Sequence, residues 1–228
     1  MRKINVVIKD TLPVMAGYIV LGTGFGLLLN ENGFGLWWSL AMSVFVYAGS
    51  LQYVGISLLS SGASLVTVAI TSLVINARHL FYGITMIGHY KGAGAKKPYL
   101  IHALTDETYS LVCTGEVPEG FGKHEYFFLV SLFDQIYWVT GSIVGSLIGA
   151  LIPGNLEGLD FSMTALFVTV VVGQWIKEKE HRPAIFGMIS SIICLLVFGP
   201  DNFIIPDMIL IIILLSIFRK PIEEGRKA

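Results

Sequence analysis

Charge is scarce in this chain. Of its 228 residues only 14% are charged and 54% are hydrophobic, and the mean hydropathy is +0.72. A soluble domain carries roughly 25% charged residues, so too few are present to cover a folded surface in water, and the soluble classes are excluded. A formal net charge of −1 excludes the basic face of a nucleic-acid binder. Cysteine is nearly absent: Cys113 and Cys194 are the only two, which leaves neither a disulfide framework nor a Cys-rich metal site. His89, His102, His124 and His181 are too scattered to make a metal site. Motifs of bond-making chemistry are missing as well. No G-x-x-x-x-G-K-S/T loop, H-E-x-x-H pair or G-x-S-x-G elbow occurs, so neither an enzyme nor a bound cofactor is expected. Glycine, by contrast, is abundant at 25 residues, as expected where membrane helices approach closely or break. The chain reads as an all-α polytopic membrane protein, a single membrane unit over 1–228.

A bilayer core needs a helix of roughly 20 residues. Apolar segments occupy 12–29, 36–60, 64–88, 126–150, 160–176, 183–200 and 203–218, and a weaker one, 99–115, contains Asp106 and Glu107. The first follows Arg2, Lys3 and Lys9 as the core of a signal peptide would. It is too long for that core and lacks a small-x-small cleavage site, so a retained helix is expected. Fourteen of the 15 Lys and Arg residues fall in five clusters (2–9, 91–97, Lys123, 177–182 and 219–227), and Arg78 is the fifteenth. Loops 30–35, 153–160 and 199–202 carry none. Because basic loops stay in the cytoplasm, both termini are expected inside. Clusters 2–9 and 91–97 then lie on one side, and an even number of crossings separates them. Three apolar segments intervene, so one does not cross. Segment 36–60 is chosen because Tyr47-Ala48-Gly49-Ser50 and Gly55 interrupt it; by the same parity 99–115 dips from the cytoplasmic side or lies on it. About six full crossings plus two broken or re-entrant segments result. Broken helices near the midplane are where secondary transporters bind substrates.

Polar residues line up on 64–88. Ser64, Thr67, Thr71, Arg78, Tyr82, Thr85 and His89 fall within about 60° of one another on a helical wheel. Arg78 lies about 15 Å from the cytoplasmic end by the helical rise, at a depth where an arginine faces a cavity or a partner. Asp106, Glu107 and Asp134 are its candidate partners within the protein, and a transported carboxylate would serve as well. His79 points away from the stripe; it is a candidate proton shuttle, with a packing role as the simpler reading. Asp106 and Glu107 are adjacent carboxylates that repel one another, which suits proton coupling; otherwise Thr105 or Asp106 caps a short interfacial helix. Asp134 sits inside a spanning segment on the face continued by Gly141, Gly145 and Gly149, a small-xxx-small ridge for close helix packing. It is read first as a hydrogen-bond acceptor across helices and second as a proton carrier. Freed backbone groups near Gly49, with Tyr47, Ser50, Gln52 and Tyr53 beside them, suit an amino acid with an apolar side chain. Gly22, Gly24 and Gly26 are read as packing residues.

Three segments carry a resemblance. Phe45-Val46-Tyr47-Ala48-Gly49-Ser50-Leu51-Gln52-Tyr53, Asn76-Ala77-Arg78-His79-Leu80-Phe81-Tyr82-Gly83 and Leu104-Thr105-Asp106-Glu107 resemble the signature segments of the AzlC family. Asp134-Gln135-Ile136-Tyr137-Trp138, Leu159-Asp160-Phe161 and Ala165-Leu166-Phe167 are similar to its later blocks, in the same order. The resemblance implies the large subunit of a two-component branched-chain amino-acid exporter in the cell membrane, working with a small AzlD-like membrane subunit. The matched positions Tyr47, Gly49, Ser50, Gln52, Tyr53, Asn76, Arg78 and Tyr82 are taken as the substrate-binding set, and Asp106, Glu107, His79 and Asp134 as the proton-coupling set. No ATPase domain or coupling loop is visible, so the proton-motive force is the expected drive. The alternatives are a subunit of an ATP-driven permease and a non-transporting scaffold.

Overall fold

The computed structural model describes residues 2–151, 180–199 and 203–218, together with Val168, Val171, Val172 and Trp175. All regular structure among the described residues is helical. Except for those four residues, the expected segment 160–176 lies outside the described residues, as do the matched blocks at 159–161 and 165–167. The chain divides into two compact units, Met1–Met163 and Thr164–Ala228.

In the first unit the helices are α1 (Arg2–Glu31), α2 (Leu36–Ala41, continued by a π-helical turn over Met42–Val46), α3 (Gly49–Ser60) and α4 (Leu65–Ile75). They are followed by α5 (Ala77–Met86), α6 (Lys97–His102), α7 (Asp106–Val112) and α8 (Lys123–Leu151). The second unit contributes α9 (Arg182–Phe198) and α10 (Ile204–Ile217). There Ser190 and Ser191 each donate to Asp207 at 2.6 Å, tying the two helices together.

Helices α1 and α8 are each long and apolar enough to cross a bilayer. They run parallel and very close. At their first turns Lys3 pairs with Glu125 at 2.9 Å; further along, a Cβ on Gly22 would stand 2.8 Å from the Trp138 carbonyl, and one on Gly141 would stand 2.7 Å from that of Ile19. At the far ends a Cβ on Gly149 would lie 3.0 Å from the Asn30 Cβ. Glycines thus face backbone from both sides, Gly22 and Gly26 on α1 against Gly141 and Gly145 on α8, the arrangement that lets membrane helices touch along their main chains. The ridge on α8 packs inside the unit.

Against this pair lie two hairpins that dip from opposite ends. The first runs down α8, with Ser39 donating to the Ser142 carbonyl at 3.0 Å and Gln135 donating to that of Val44 at 3.1 Å. It turns at Tyr47 and Ala48, then climbs α1. Tyr53 donates to the Leu21 carbonyl at 2.6 Å, and Ser60 reaches Asn32 at 3.1 Å, so the segment returns to the end it left. The turn is strained: Tyr47 is the one non-glycine residue at positive φ (42°) among the described residues, a conformation that costs an L-residue about 1–2 kcal/mol. Its N–H closes the π-helical turn on Met42 at 3.0 Å. Gly49 follows because a Cβ there would press to 3.1 Å on the Trp138 ring.

The second hairpin enters beside the N-terminal ends of α1 and α8. Lys96 stands over the Phe128 ring, 5.6 Å from its centre, and Tyr99 donates to Gln135 at 2.8 Å. The chain turns at Ala103–Thr105, and Gly115 comes back beside His89 and Lys123. The tips meet where His102 Nε2 lies 3.1 Å from the Val44 carbonyl.

Segment 64–88 is not the continuous helix that its periodicity suggests. It breaks at Asn76 (φ −91°, ψ 5°), and α4 and α5 diverge by 48°. Asparagine is a weak helix former because its side chain competes for backbone groups, and the reading is corrected to two half-helices. The polar stripe divides accordingly, Ser64 capping α4 through the Thr67 amide at 3.1 Å. The lower half ends at the basic end of the unit, where Lys123 Nζ stands 2.7 Å from His89 Nδ1.

Candidate functional site

Three chain breaks converge midway along the unit: Tyr47-Ala48 before α3, Asn76 before α5, and Ala103–Thr105 before α7. Arg78, in the first turn of α5, joins them. It forms an ion pair with Asp106, the first residue of α7, and donates to Ser50, near the start of α3, at 3.1 Å. A cation in the first turn of a helix adds to the positive end of the helix dipole, so Arg78 makes the start of α5 strongly anion-seeking. Asp106 answers that field from a different element. The two side chains retain 41% and 32% of their surface, so a ligand has access to both.

The pair leaves polar capacity unused. Asn76 Oδ1, Arg78 Nε, His79 Nδ1 and Asp106 Oδ1 are buried and have no hydrogen-bond partner among the described residues. Leaving a buried polar atom unsatisfied costs about 1–3 kcal/mol, and these four keep unused hydrogen-bonding capacity at and beside one ion pair. Tyr82 stands one turn beyond Arg78 within electrostatic reach of Asp106, stacked on Tyr109 at 4.5 Å and edge-on to His79 at 5.8 Å. These rings give the site an apolar flank.

The predicted residues separate into two groups. Ser50, Asn76, Arg78, His79, Tyr82 and Asp106 come together. Gln52 and Tyr53 do not join them: Gln52 is fully buried, accepts from the Trp138 indole at 2.9 Å and donates to Ser43 at 3.3 Å, while Tyr53 is spent on Leu21. Both brace the first hairpin. Tyr47 turns into the interior beside Tyr18 and His102. Glu107, next to Asp106, accepts from Tyr18 at 2.6 Å; Asp134 accepts from Thr108 at 2.7 Å. Thr105 caps α7 through the Thr108 amide at 3.3 Å. Tyr18 and Thr108 carry no pattern that singles them out in the sequence. Among the described residues no group of three or more His, Cys, Asp or Glu side chains is placed to hold a metal ion.

A family model described as AzlC protein matches residues 13–152, the span containing both hairpins and the α4–α5 break. The chain is 40% identical over 215 residues to a Bacillus subtilis protein named branched-chain amino acid transport protein AzlC, covering 94% of this chain and 85% of that one. A Helicobacter pylori membrane protein is 38% identical over 213 residues, 93% of each chain. The Escherichia coli inner membrane protein YgaZ is 28% identical over 182 residues, 75% of this chain and 73% of its own. No solved structure matches the chain. With most of its length shared with these relatives and its central breaks inside the matched span, the chain belongs to the AzlC family, a family of transport proteins rather than enzymes.

Proposed function

We propose that the chain is the large subunit of a secondary transporter that exports branched-chain amino acids, driven by the proton-motive force and completed by a small AzlD-like membrane subunit. The observation that carries this reading is the Arg78–Asp106 pair held where three half-helices meet. A substrate carboxylate takes the place of Asp106 on the guanidinium, making the charge-assisted bonds that arginine offers such groups. The substrate ammonium then meets the released Asp106 carboxylate and Asn76 Oδ1, and its apolar side chain lies against Tyr82 and Tyr109. Two protein charges thus exchange for two substrate charges, and the site stays neutral throughout. The Bacillus subtilis relative's name supplies the substrate class.

The basic end of the unit, with residues 2–9, 89–97 and Lys123, faces the cytoplasm, both termini are inside, and the hairpins re-enter from opposite faces among about six full crossings of the cell membrane. Binding between two hairpin tips that enter from opposite faces suits alternating access.

The test is efflux from peptide-loaded cells. Cells expressing the chain with and without the small subunit are fed an isoleucine-containing dipeptide, and intracellular isoleucine is followed with and without an uncoupler. Loss that needs both subunits and stops with the uncoupler is expected. Loss that persists with the uncoupler but stops on ATP depletion would move the chain to an ATP-driven permease. No loss in any combination would leave it a scaffold.

A further inference from the structure

Behind the Arg78 site a continuous row of hydroxyl groups joins two carboxyl groups. Tyr18 Oη lies 2.6 Å from Glu107 Oε2 and 2.7 Å from Thr105 Oγ1. Thr105 Oγ1 lies 3.1 Å from Thr108 Oγ1, which lies 2.7 Å from Asp134 Oδ2. The row crosses from α1 to the tip of the second hairpin and on to α8. Tyr18, Thr105, Thr108 and Asp134 are all buried, and Asp134 Oδ1 has no partner among the described residues.

Counting hydrogens shows what the row can do. Each hydroxyl is at once a donor of one hydrogen and an acceptor. Three hydroxyls supply three hydrogens to four links, so with both carboxyls ionised one link stays empty. One added proton fills all four. It does so in two ways: Glu107 donates to Tyr18, Tyr18 to Thr105, Thr105 to Thr108 and Thr108 to the Asp134 carboxylate, or every link runs in reverse. Passing between the two breaks one O–H bond and forms another at each of the three hydroxyl oxygens, breaks one at Glu107 and forms one at Asp134, so that one proton is carried from Glu107 to Asp134. The negative charge moves the opposite way, and nothing is oxidised or reduced.

The surroundings favour a single shared proton. Asp134 faces Tyr47 at the first hairpin tip, Tyr99 on α6, Glu107 on α7 and Tyr126 on its own helix. Glu107 faces Tyr18 on α1, Tyr47, and His79 and Tyr82 on α5. None of the ion pairs among the described residues involves Asp134 or Glu107. Asp134 is fully buried and Glu107 half-buried; a carboxylate taken out of water without an ion partner is costly, and one proton between the two removes half of their charge. We propose that Glu107, Tyr18, Thr105, Thr108 and Asp134 form a proton relay holding one shared proton, its Glu107 end beside the substrate site. Because Glu107 follows Asp106 directly, exchange of Asp106 for a substrate carboxylate on Arg78 changes the field at Glu107 and drives the proton along the row. The coupling step rests on the transport reading; the shared proton does not.

The experiment uses the full chain with its small partner, purified and reconstituted. Variants Thr108→Val and Tyr18→Phe keep shape and each remove one hydroxyl, and with it two of the four links; Thr108→Ser restores the hydroxyl. Proton-gradient-driven isoleucine flux should fall about a hundredfold in Thr108→Val and Tyr18→Phe, the loss usual for removing a proton-transfer group. Isoleucine counterflow at equal pH should persist, and Thr108→Ser should recover gradient-driven flux. Gradient-driven flux unchanged in either apolar variant overturns the relay. Infrared difference spectra in H2O and D2O form the arm that does not depend on transport. One protonated-carboxyl band is expected, absent in Asp134→Asn or Glu107→Gln and shifted in Thr108→Val. If no variant and not even the parent moves isoleucine, the transport reading fails while that band still upholds the shared proton; a missing band, or one indifferent to Thr108→Val, overturns it.

Discussion

The contact between α1 and α8 yields a prediction whose size is set by geometry. An alanine at Gly145 would place its Cβ 2.7 Å from the Thr23 carbonyl carbon and 2.8 Å from the Thr23 Cα. Carbon atoms rest at about 3.5–4.0 Å, so the helices must part by about 1 Å, and backbone, unlike a side-chain tip, has nowhere to fold away. Overpacking of this kind costs about 1–3 kcal/mol; the upper part of that range applies, since Gly141, one turn earlier, meets the Ile19 carbonyl at a similar spacing. At about 2–4 °C per kcal/mol for a chain of this size, Gly145→Ala should lower the melting temperature in detergent by roughly 4–12 °C. Gly17→Ala is the control: it lies on the same helix pair with no atom within 4 Å of the new Cβ, and the helical propensity of alanine gains up to about 1 kcal/mol. Both variants are melted side by side and scored by the fraction that stays monodisperse after heating. Equal melting of Gly145→Ala and Gly17→Ala would refute the close backbone contact.

Asp106→Asn removes the charge that substrate must replace and should abolish net efflux; unchanged pH-dependent efflux removes Asp106 from coupling. Trp138→Phe strips the Gln52 carbonyl of its partner in a buried setting, a loss of about 1–3 kcal/mol that a melting curve reads directly. Lys3→Ala deletes a pair whose side chains are 48% and 40% exposed; exposed pairs contribute little to stability, so its melting temperature should stay close to that of the parent. A larger drop would mean that this pair is central to how the parallel helices are held together.

Some of this architecture was legible in the residues. Small residues at Ala48-Gly49-Ser50 announce the first break because no large side chain is available there to stabilise a continuous helix, and the structure adds the reason for Gly49, the Trp138 ring pressed against it. The basic clusters at 2–9, 91–97 and Lys123 foreshadow what the contacts of Lys3, His89 and Lys96 establish: these segments share one end of the unit. The second hairpin was signalled by parity, since segment 99–115 runs between two basic clusters, 91–97 and Lys123, that share one side. The break at Asn76 was hidden because helical periodicity runs straight through it, and one weak helix former inside an apolar segment reads as tolerable. The hydroxyl row was invisible for a different reason. Tyr18 on α1, Thr105 and Thr108 at the start of α7, and Asp134 on α8 come from three elements, and only the tertiary fold joins them into one row. Gln52 and Tyr53 show the converse: polar and aromatic side chains beside a break suggest ligand contacts, yet internal partners claim both.

The central claim is that Arg78 holds the substrate carboxylate in exchange for Asp106, and binding measured directly tests it best. Isoleucine binding to the purified complex is compared for the parent and Arg78→Gln, with isoleucinol, which lacks the carboxylate, as competitor. The account predicts saturable binding to the parent, weakened about tenfold to a hundredfold in Arg78→Gln, as expected for losing bonds to a charged group, and no competition by isoleucinol. Parent-like affinity in Arg78→Gln, or isoleucinol competing as well as isoleucine, would contradict it.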